Sequence, residues 1–203
     1  TRCIKEKDRL LIGIQGICSR IAKAYMADLP EKVQKRCLLR DFLKRDNIVR
    51  QQQKFAARGQ HETEALQNVL HITGRTKWDR EFAEEVNPEA TYHFMNETLR
   101  PEFYGPAWDM DGCEKYSIFV SQGNYPIKGL HYLLRAMPDI LAAYPQAKVY
   151  VAGDVITRYK TLKEKLKIGS YGKYCLDLIR ENNLSDRVIF LGKLNSGEMC
   201  GQY

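Results

Sequence analysis

Residues 117–154 read SIFVSQGNYPIKGLHYLLRAMPDILAAYPQAKVYVAGD, and they contain the clearest structural pattern of the chain. An apolar segment ends at Gly123, a turn with proline and glycine follows, and apolar residues then recur at helical spacing from Leu130 to Tyr144. A second apolar segment, Lys148 to Asp154, closes the stretch. The pattern predicts a strand, a helix and a strand, with Pro138 kinking or restarting the helix.

The alternation continues to the end of the chain. Tyr171 to Asn183 has apolar residues at helical spacing, and VIFLG, residues 188–192, predicts a third strand. Strands separated by helices of this length need crossover connections, so a parallel sheet with helices on both faces is expected. The second half of the chain therefore predicts a Rossmann-like half-domain.

The first half of the chain has a similar but less regular pattern. LLIGIQG, residues 10–16, predicts a strand that is buried on both faces, and residues 69–74 and 90–95 predict two further strands. Residues 32–65 are rich in Arg, Lys and Gln with interspersed apolar residues, which predicts one or two amphipathic helices.

A segment with prolines, glycines and aromatic residues separates the two patterns. It runs from about Tyr104 to Lys115, and we place the domain boundary there. The predicted domains are residues 1–110 and 111–203, and the predicted fold class is α/β.

Positive charge is concentrated at the start of the chain. The formal net charge is +7, and residues 1–60 contain fifteen Lys/Arg against six Asp/Glu. This excess predicts either contact with an anionic membrane surface or a solvated helix face without a partner. No recognised nucleic-acid-binding motif accompanies it, so nucleic acid is not expected as a partner.

Two further features limit the class of protein. No segment is apolar enough to predict a membrane-spanning helix, so we expect a cytoplasmic protein, at most peripheral on the inner face of the membrane. The six cysteines are scattered without CxxC spacing, which predicts reduced thiols and no metal site.

The turn after the strand that ends at Gly123 is the candidate binding site. In parallel sheets, ligands bind at the carboxyl ends of the strands, where helix N-termini present free N–H groups. Gly123, Asn124, Lys128 and Gly129 lie in this turn, and together they predict a diphosphate cradle in which Lys128 supplies the positive charge. The alternative is an ordinary solvated turn.

Two neighbouring residues are interpreted structurally. His131 follows the turn directly and is expected to be a partly exposed histidine without a catalytic role. Asp154 follows the next strand and is expected to cap a helix or turn.

The sequence resembles a known enzyme family over residues 117–203. QGNYPIKGLHYLLRAMPDILAAYPQAKVYVAGD, followed by LSDRVIFLGKL, is similar to the opening of the donor domain in retaining GT-B glycosyltransferases of group 1, or family 4. The resemblance implies two Rossmann-like domains of GT-B type, both incomplete in this chain, which would be a central fragment.

The resemblance also implies an activity. Family members transfer a hexose from a nucleotide diphosphate sugar to a glycan or lipid-linked acceptor, as in polysaccharide biosynthesis, and they require no metal or other cofactor. Lys128 would be the catalytic residue that stabilises the leaving diphosphate.

The acceptor side resembles the family more loosely. The candidates are Gln15, Gly16, Arg75 and Asp79, of which the first two end the first predicted strand and the other two follow the second. Each also has a structural interpretation: Gln15 as a polar residue at a strand end, Gly16 as a turn glycine, and Arg75 with Asp79 as an ion pair at a helix start.

The sequence departs from the family pattern in two respects. The family usually has an arginine five residues before the turn lysine, where this chain has Gly123. The paired glutamates of the family would lie beyond Tyr203, so this chain alone is not expected to catalyse transfer. The alternative function is therefore a noncatalytic nucleotide- or sugar-binding module with a degenerate donor site.

Overall fold

The computed structural model describes residues 9–105 and 107–203. Cys3 and the first eight residues of the basic segment lie outside these described residues, as does Pro106. In chain order the described helices and strands are β1 (Leu11–Gly13), α1 (Cys18–Ala24), α2 (Glu31–Gln34), α3 (Leu39–Lys44), α4 (Ile48–Leu66), β2 (His71–Gly74), α5 (Lys77–Val86), β3 (Thr91–Phe94), β4 (Ser117–Val120), α6 (Leu130–Ala143), β5 (Lys148–Ala152), α7 (Leu162–Lys167), α8 (Ser170–Glu181), β6 (Val188–Gly192) and α9 (Ser196–Cys200).

The strands form two parallel sheets of three strands each. The first has the order β1-β2-β3 and the second the order β4-β5-β6. Helices connect successive strands in both sheets, as parallel pairing requires. The prediction of an α/β fold with parallel sheets is confirmed.

Contacts divide the chain into two compact units. The first unit contains the described residues up to Tyr25 and Gln51–Thr98, and the second contains Met26–Arg50 and Leu99–Tyr203. The predicted boundary assigned all of residues 1–110 to the first domain. The division differs because residues 26–50 hydrogen-bond to α6 and α8, which follow β4 and β5.

The first unit has an apolar core around β2. Ile72 is fully buried at the centre of the sheet, and residues from the flanking strands, helices and turns pack around it. Thr76 begins α5 with a capping box, in which its hydroxyl accepts from the Asp79 N–H. The core residues are Ile14, Ile17, Leu66, Val69, Ile72, Phe82 and Ala83.

The second unit is built around the packing of α6 against α8. Leu134 and Met137 of α6 and Cys175 of α8 are completely buried. Asp41 of α3 is also buried, and its Oδ2 atom accepts hydrogen bonds from the Ser170 backbone N–H at 2.8 Å and from the Ser170 hydroxyl at 2.5 Å. Asp41 therefore caps the first residue of α8 and fixes α3 beside it.

Several details differ from the sequence prediction. The predicted strand at residues 10–16 is limited to Leu11–Gly13 and is not buried on both faces, because β1 lies at the edge of its sheet and Leu11 is 55% exposed. Residues 32–65 contain parts of three helices rather than one or two. Pro138 does not restart α6, which continues through it.

The Lys-rich segment between β5 and α8 contains a helix that the sequence analysis did not predict. This helix is α7, which begins with a capping box formed by Thr161 and Glu164. Its two leucines, Leu162 and Leu166, are largely exposed, so it lacks the buried stripe on which periodicity depends.

The longest described helix is α4, with 19 residues. It contains several charged residues, including Arg50, Lys54 and Arg58. Among the residues that the structure describes, no helix is both long and apolar enough to cross a membrane.

Gly172 lies in α8 where the backbone of another segment approaches closely. A Cβ atom at this position would lie 2.2 Å from the carbonyl oxygen of Ile156. We predict that Gly172→Ala destabilises the protein by about 1–3 kcal/mol, although alanine normally favours a helix over glycine by about 1 kcal/mol. Urea unfolding monitored by circular dichroism measures this change.

Gly197→Ala provides the matched control in α9. The nearest atom to a Cβ there is the Asn195 Oδ1 at 3.5 Å, an ordinary contact distance. This variant should be as stable as the wild type or slightly more stable. Equal stability of the two variants would contradict the close approach at Gly172.

Candidate functional site

The predicted binding turn lies at the carboxyl end of β4. The strand ends at Val120, three residues before the predicted end at Gly123. Residues 121–125 lead to a 3₁₀ turn at Pro126–Lys128, and α6 begins at Leu130. The turn thus connects a parallel strand to the N-terminus of a long helix, which is the position that binds ligands in parallel sheets. Gly123, Asn124, Lys128 and Gly129 all lie in this one segment, residues 123–129, as predicted from the sequence.

Gly129 produces the change of direction into α6. Its φ angle is 77°, in the left-handed region that glycine adopts without steric cost. Its N–H donates to the Pro126 carbonyl at 2.9 Å, and its own carbonyl accepts from the Tyr132 N–H at 2.9 Å. The glycine therefore closes the 3₁₀ turn and opens the helix without a side-chain cap.

Gly123 packs closely against two neighbouring side chains. A Cβ atom there would lie 2.9 Å from Leu130 Cδ2 and 3.0 Å from Val151 Cγ1, below normal contact distances. The backbone of the turn therefore lies directly on side chains of α6 and β5. A residue with a side chain, including the arginine found in the family, would have to displace these neighbours.

The polar side chains of the turn differ in exposure. Lys128 is exposed, and no acidic side chain of the described residues forms an ion pair with it. The Asn124 Oδ1 atom is buried, and the described residues provide no hydrogen-bond partner for it. The turn thus combines a cation that is free to contact an anion with an amide group that lacks a protein partner.

The carboxyl edge of this sheet carries a second lysine that sequence reasoning did not select. Lys193 directly follows β6, and its Nζ atom lies 3.2 Å from Asp154 Oδ1. Asp154 follows β5 and forms this exposed ion pair. The structure therefore does not show the capping role that was expected for it. The position of Lys193 immediately after the strand VIFLG was the signal that could have identified it.

His131 is completely buried, contrary to the expectation of partial exposure. Its Nε2 atom lies 2.7 Å from the Ala27 carbonyl oxygen, which can only accept, so Nε2 carries the proton. Its Nδ1 atom, 3.1 Å from the Tyr171 hydroxyl, then accepts. His131 therefore joins the turn before α2 to α8.

The surroundings of His131 keep it neutral. Burial lowers the pKa of His131, the hydrogen bond to Ala27 opposes this change, and the Arg135 guanidinium lowers the pKa further. Burial also raises the pKa of the neighbouring Tyr171 hydroxyl, and it raises that of Cys175 to about 12. These groups form a neutral internal network, and the Cys175 thiol is not a reactive nucleophile.

This network also uses one N–H group of the α6 N-terminus. The His131 backbone N–H donates to the Tyr171 hydroxyl at 3.4 Å. The Tyr132 N–H is already bonded to Gly129. Two of the N–H groups that a helix N-terminus would offer to an anion are therefore engaged within the protein.

The acceptor-side candidates belong to the first unit, and three of them are close together. The Arg75 guanidinium donates to the Gln15 carbonyl oxygen at 3.0 Å and forms an ion pair with Glu97 at 3.1 Å. Asp79 accepts from the backbone N–H groups of Arg75 and Thr76 at 3.0 and 3.1 Å. The predicted ion pair between Arg75 and Asp79 is wrong, because Asp79 binds backbone and Arg75 pairs with Glu97.

Exposure separates these candidates further. The Gln15 side chain is exposed, whereas Asp79 is 5% exposed and its carboxylate caps α5. A Cβ atom at Gly16 would meet only Ile21 Cδ1, at 3.6 Å, so packing does not require glycine there. The Gln15 side chain thus remains accessible to a ligand, whereas the half-buried Arg75 would have to exchange its contacts with the Gln15 carbonyl and Glu97.

Comparisons with known proteins do not assign the chain to a family. No protein-family model matches the chain, and no curated protein or solved structure matches it significantly. Within residues 9–105 and 107–203, no cluster of three or more His, Cys, Asp or Glu side chains is arranged to hold a metal ion. The geometry of the turn and its neighbours is therefore the basis for the proposals below.

The capping role of Asp79 predicts a large effect on stability. Asp79→Ala removes a buried carboxylate that accepts from two half-buried backbone N–H groups at the start of α5, so we predict a loss of about 1–3 kcal/mol in urea unfolding. Glu81→Ala, on the same helix, removes an exposed carboxylate 3.7 Å from Lys77 and should change stability by less than about 0.5 kcal/mol. Similar losses in both variants would contradict the capping role.

The buried His131 predicts a dependence of stability on pH. Because its pKa is lower in the folded protein, its contribution is complete above the unfolded pKa of about 6.5 and is lost as the pH falls toward the folded value. We predict that the free energy of unfolding decreases from pH ~7.5 to ~5.5, by up to about 1.4 kcal/mol per pH unit from this group.

Two variants isolate the His131 contribution. His131→Gln should show a smaller decrease over the same pH range, because the titrating group is gone. His61→Gln, which changes an exposed histidine on α4, should keep the wild-type decrease. If both variants retain the full pH dependence, the decrease does not arise from His131.

Proposed function

We propose that the protein is a glycosyltransferase that moves a hexose from a nucleotide diphosphate sugar to a glycan or lipid-linked acceptor, with retention of configuration. The observation that carries the proposal is the turn at residues 123–129. It lies at the carboxyl end of a parallel strand, precedes a long helix and carries the unpaired cation Lys128. Its sequence and the segments that follow resemble the donor domain of GT-B glycosyltransferases.

The chemistry of donor cleavage accounts for the residues of the turn. When the sugar bond breaks, negative charge develops on the leaving diphosphate, and a cation beside it lowers the energy of the transition state. Lys128 would supply that charge as the catalytic residue. Asn124 would contribute its side chain only if the amide end, whose buried Oδ1 has no partner among the described residues, turned outward toward the diphosphate.

The donor-domain turn of this chain has fewer phosphate contacts than the family pattern. Gly123 replaces the usual arginine, and the contacts with Leu130 and Val151 leave little space for a side chain. The His131 and Tyr132 N–H groups are already bonded. Lys193, at the same edge of the sheet, is a candidate for the missing positive charge, and its exposed ion pair with Asp154 is weak enough to exchange for a phosphate.

The same observations favour a second candidate function. With Gly123 in place of arginine, the turn could bind a nucleotide or sugar without cleaving a donor. A noncatalytic module of this kind would bind the diphosphate but would release no free nucleotide from a nucleotide diphosphate sugar. Binding and turnover must therefore be measured separately.

We predict that Lys128→Ala weakens the binding of uridine or guanosine diphosphate and of their hexose conjugates. A charge-assisted hydrogen bond contributes about 1.5–3 kcal/mol, so the dissociation constant should rise by about tenfold to a hundredfold. Isothermal titration calorimetry of the full-length protein measures this change. Lys115→Ala, an exposed lysine that precedes β4, is the matched control and should bind as the wild type does.

The outcomes separate the two candidate functions. Binding that depends on Lys128, with nucleotide released from a hexose conjugate when an acceptor is present, supports the transferase. Binding that depends on Lys128 without release supports the noncatalytic module. Binding that is equal in both variants, or absent, would contradict a diphosphate site at this turn.

A further inference from the structure

Two short helices of the second unit expose apolar faces. On α3, Leu39, Phe42 and Leu43 share one face, because they are spaced by three and four residues, and they are 51%, 71% and 70% exposed. On α7, Leu162 and Leu166 share a face and are 77% and 52% exposed. Side chains of this size are normally buried, so both faces lack the packing that their composition favours.

The two faces adjoin one cleft. α3 and α7 are in contact, and Leu39 and Leu166 both line a cleft of about 510 Å³ between them. Ile168 and Leu176 extend its apolar lining. Phe42 and Leu43 lie on the neighbouring part of α3 and line a second pocket of about 430 Å³ with Asp41, Arg45 and Arg50. We call the exposed apolar faces of α3 and α7, together with the first cleft, the α3–α7 surface.

Positive charge surrounds the α3–α7 surface. The described lining of the cleft includes the cations Lys160, Lys165, Lys173 and Arg180 and no acidic side chain. Residues 158–167 contain five basic residues and one acidic residue. That acidic residue is Glu164, whose carboxylate is used to cap α7.

Contacts with α8 anchor the α3 side of the α3–α7 surface. The buried Asp41 side chain ties α3 to the first residue of α8 through two hydrogen bonds. Arg36, which precedes α3, forms an ion pair with Asp177 of α8 at 3.5 Å. The apolar side chains of α3 are thus presented from an anchored helix, and α7 contacts that helix.

We propose that the α3–α7 surface binds the surface of a membrane that contains anionic lipids. Phe42, Leu43 and Leu162 would enter the boundary between headgroups and acyl chains, and the surrounding lysines would contact lipid phosphates. Lysine suits this role because its long aliphatic stem lies along apolar surface while its ammonium group stays in the polar layer.

The composition of the surface favours a membrane over a protein partner. Protein interfaces are depleted in lysine and enriched in tyrosine, tryptophan and arginine at their centres. The cleft of the α3–α7 surface is lined by three lysines against one arginine and one tyrosine, and the exposed apolar side chains of α3 and α7 are aliphatic except for Phe42. This is the composition of interfacial helices that bind anionic membranes.

The proposal is independent of the proposed donor site. It does not use Lys128 or the turn at residues 123–129. It also differs from the expectation drawn from the basic residues 1–60, because most of the cations around the cleft lie in residues 160–180. Loss of nucleotide binding in Lys128→Ala would leave membrane binding unchanged.

Sedimentation with lipid vesicles tests the proposal. The wild-type protein is mixed with vesicles of phosphatidylcholine alone or of phosphatidylcholine with about one third phosphatidylglycerol, at about 50 mM and about 500 mM NaCl. We expect binding to the anionic vesicles that is weaker at the higher salt concentration, and little binding to neutral vesicles. Equal binding to both vesicle types, or none, would overturn the proposal.

An apolar variant tests the contribution of the exposed faces. Changing Phe42, Leu43 and Leu162 together to Ser should lower the partition coefficient on anionic vesicles by about tenfold or more. The matched control changes Leu70, Trp78 and Leu99 to Ser, which are 46%, 53% and 60% exposed elsewhere on the chain. Because all six side chains are exposed, circular dichroism should show native helix content in both variants. Equal losses in the two variants would overturn the proposal.

A charge variant tests the cations. Changing Lys160, Lys163 and Lys165 together to Glu should abolish binding to anionic vesicles. Changing Lys32, Lys77 and Lys115 to Glu alters the net charge equally and should preserve most of the binding.

Analytical ultracentrifugation tests the alternative that a second copy of this chain occupies the surface. A dimer that the apolar variant abolishes, without vesicle binding by the wild type, would assign the surface to a second copy of this chain and overturn the proposal.

Discussion

The contact of the Gly123 backbone with Leu130 and Val151 is the constraint on which the candidate site depends. The segment after β4 packs against side chains of α6 and β5, and this packing positions the turn relative to the sheet. Gly129 then directs the chain into α6 from that position. The same contact leaves little space for a side chain at position 123 unless Leu130 and Val151 shift, so the packing of the turn disfavours a second cation there.

The fold could be predicted from the sequence where burial is regular. α6 and β5 have apolar residues at helix and strand spacing that the structure buries, those of β4 and β6 are mostly half-buried, and glycines lie at or beyond the ends of these strands. β1 and α7 were less predictable, because one lies at a sheet edge and the other exposes both leucines. In both cases exposure removes the link between hydrophobicity and burial on which the prediction depends.

The sequence predicted where the backbone of the candidate site lies, but not which partners the neighbouring side chains contact. Residues 123–129 and their position after a strand were correctly located, since local turn chemistry determines them. The roles of Asp79 and His131 were not, because their partners are the backbone of Thr76 and the distant Ala27 carbonyl. A carboxylate that binds a substrate and one that caps a helix look the same in a sequence, and only the donors around them distinguish the two.

The position of the positive charge on the folded protein also could not be predicted from the sequence alone. Counting along the chain assigns the positive excess to residues 1–60, whereas folding places α3 from that segment beside α7, a second basic segment more than a hundred residues later. The two helices together form a surface that neither predicts alone. If this surface binds anionic lipid, the protein would be concentrated where lipid-linked acceptors are found and free glycans are not. Membrane binding would therefore favour a lipid-linked acceptor within the proposed function, and its absence would favour a soluble glycan.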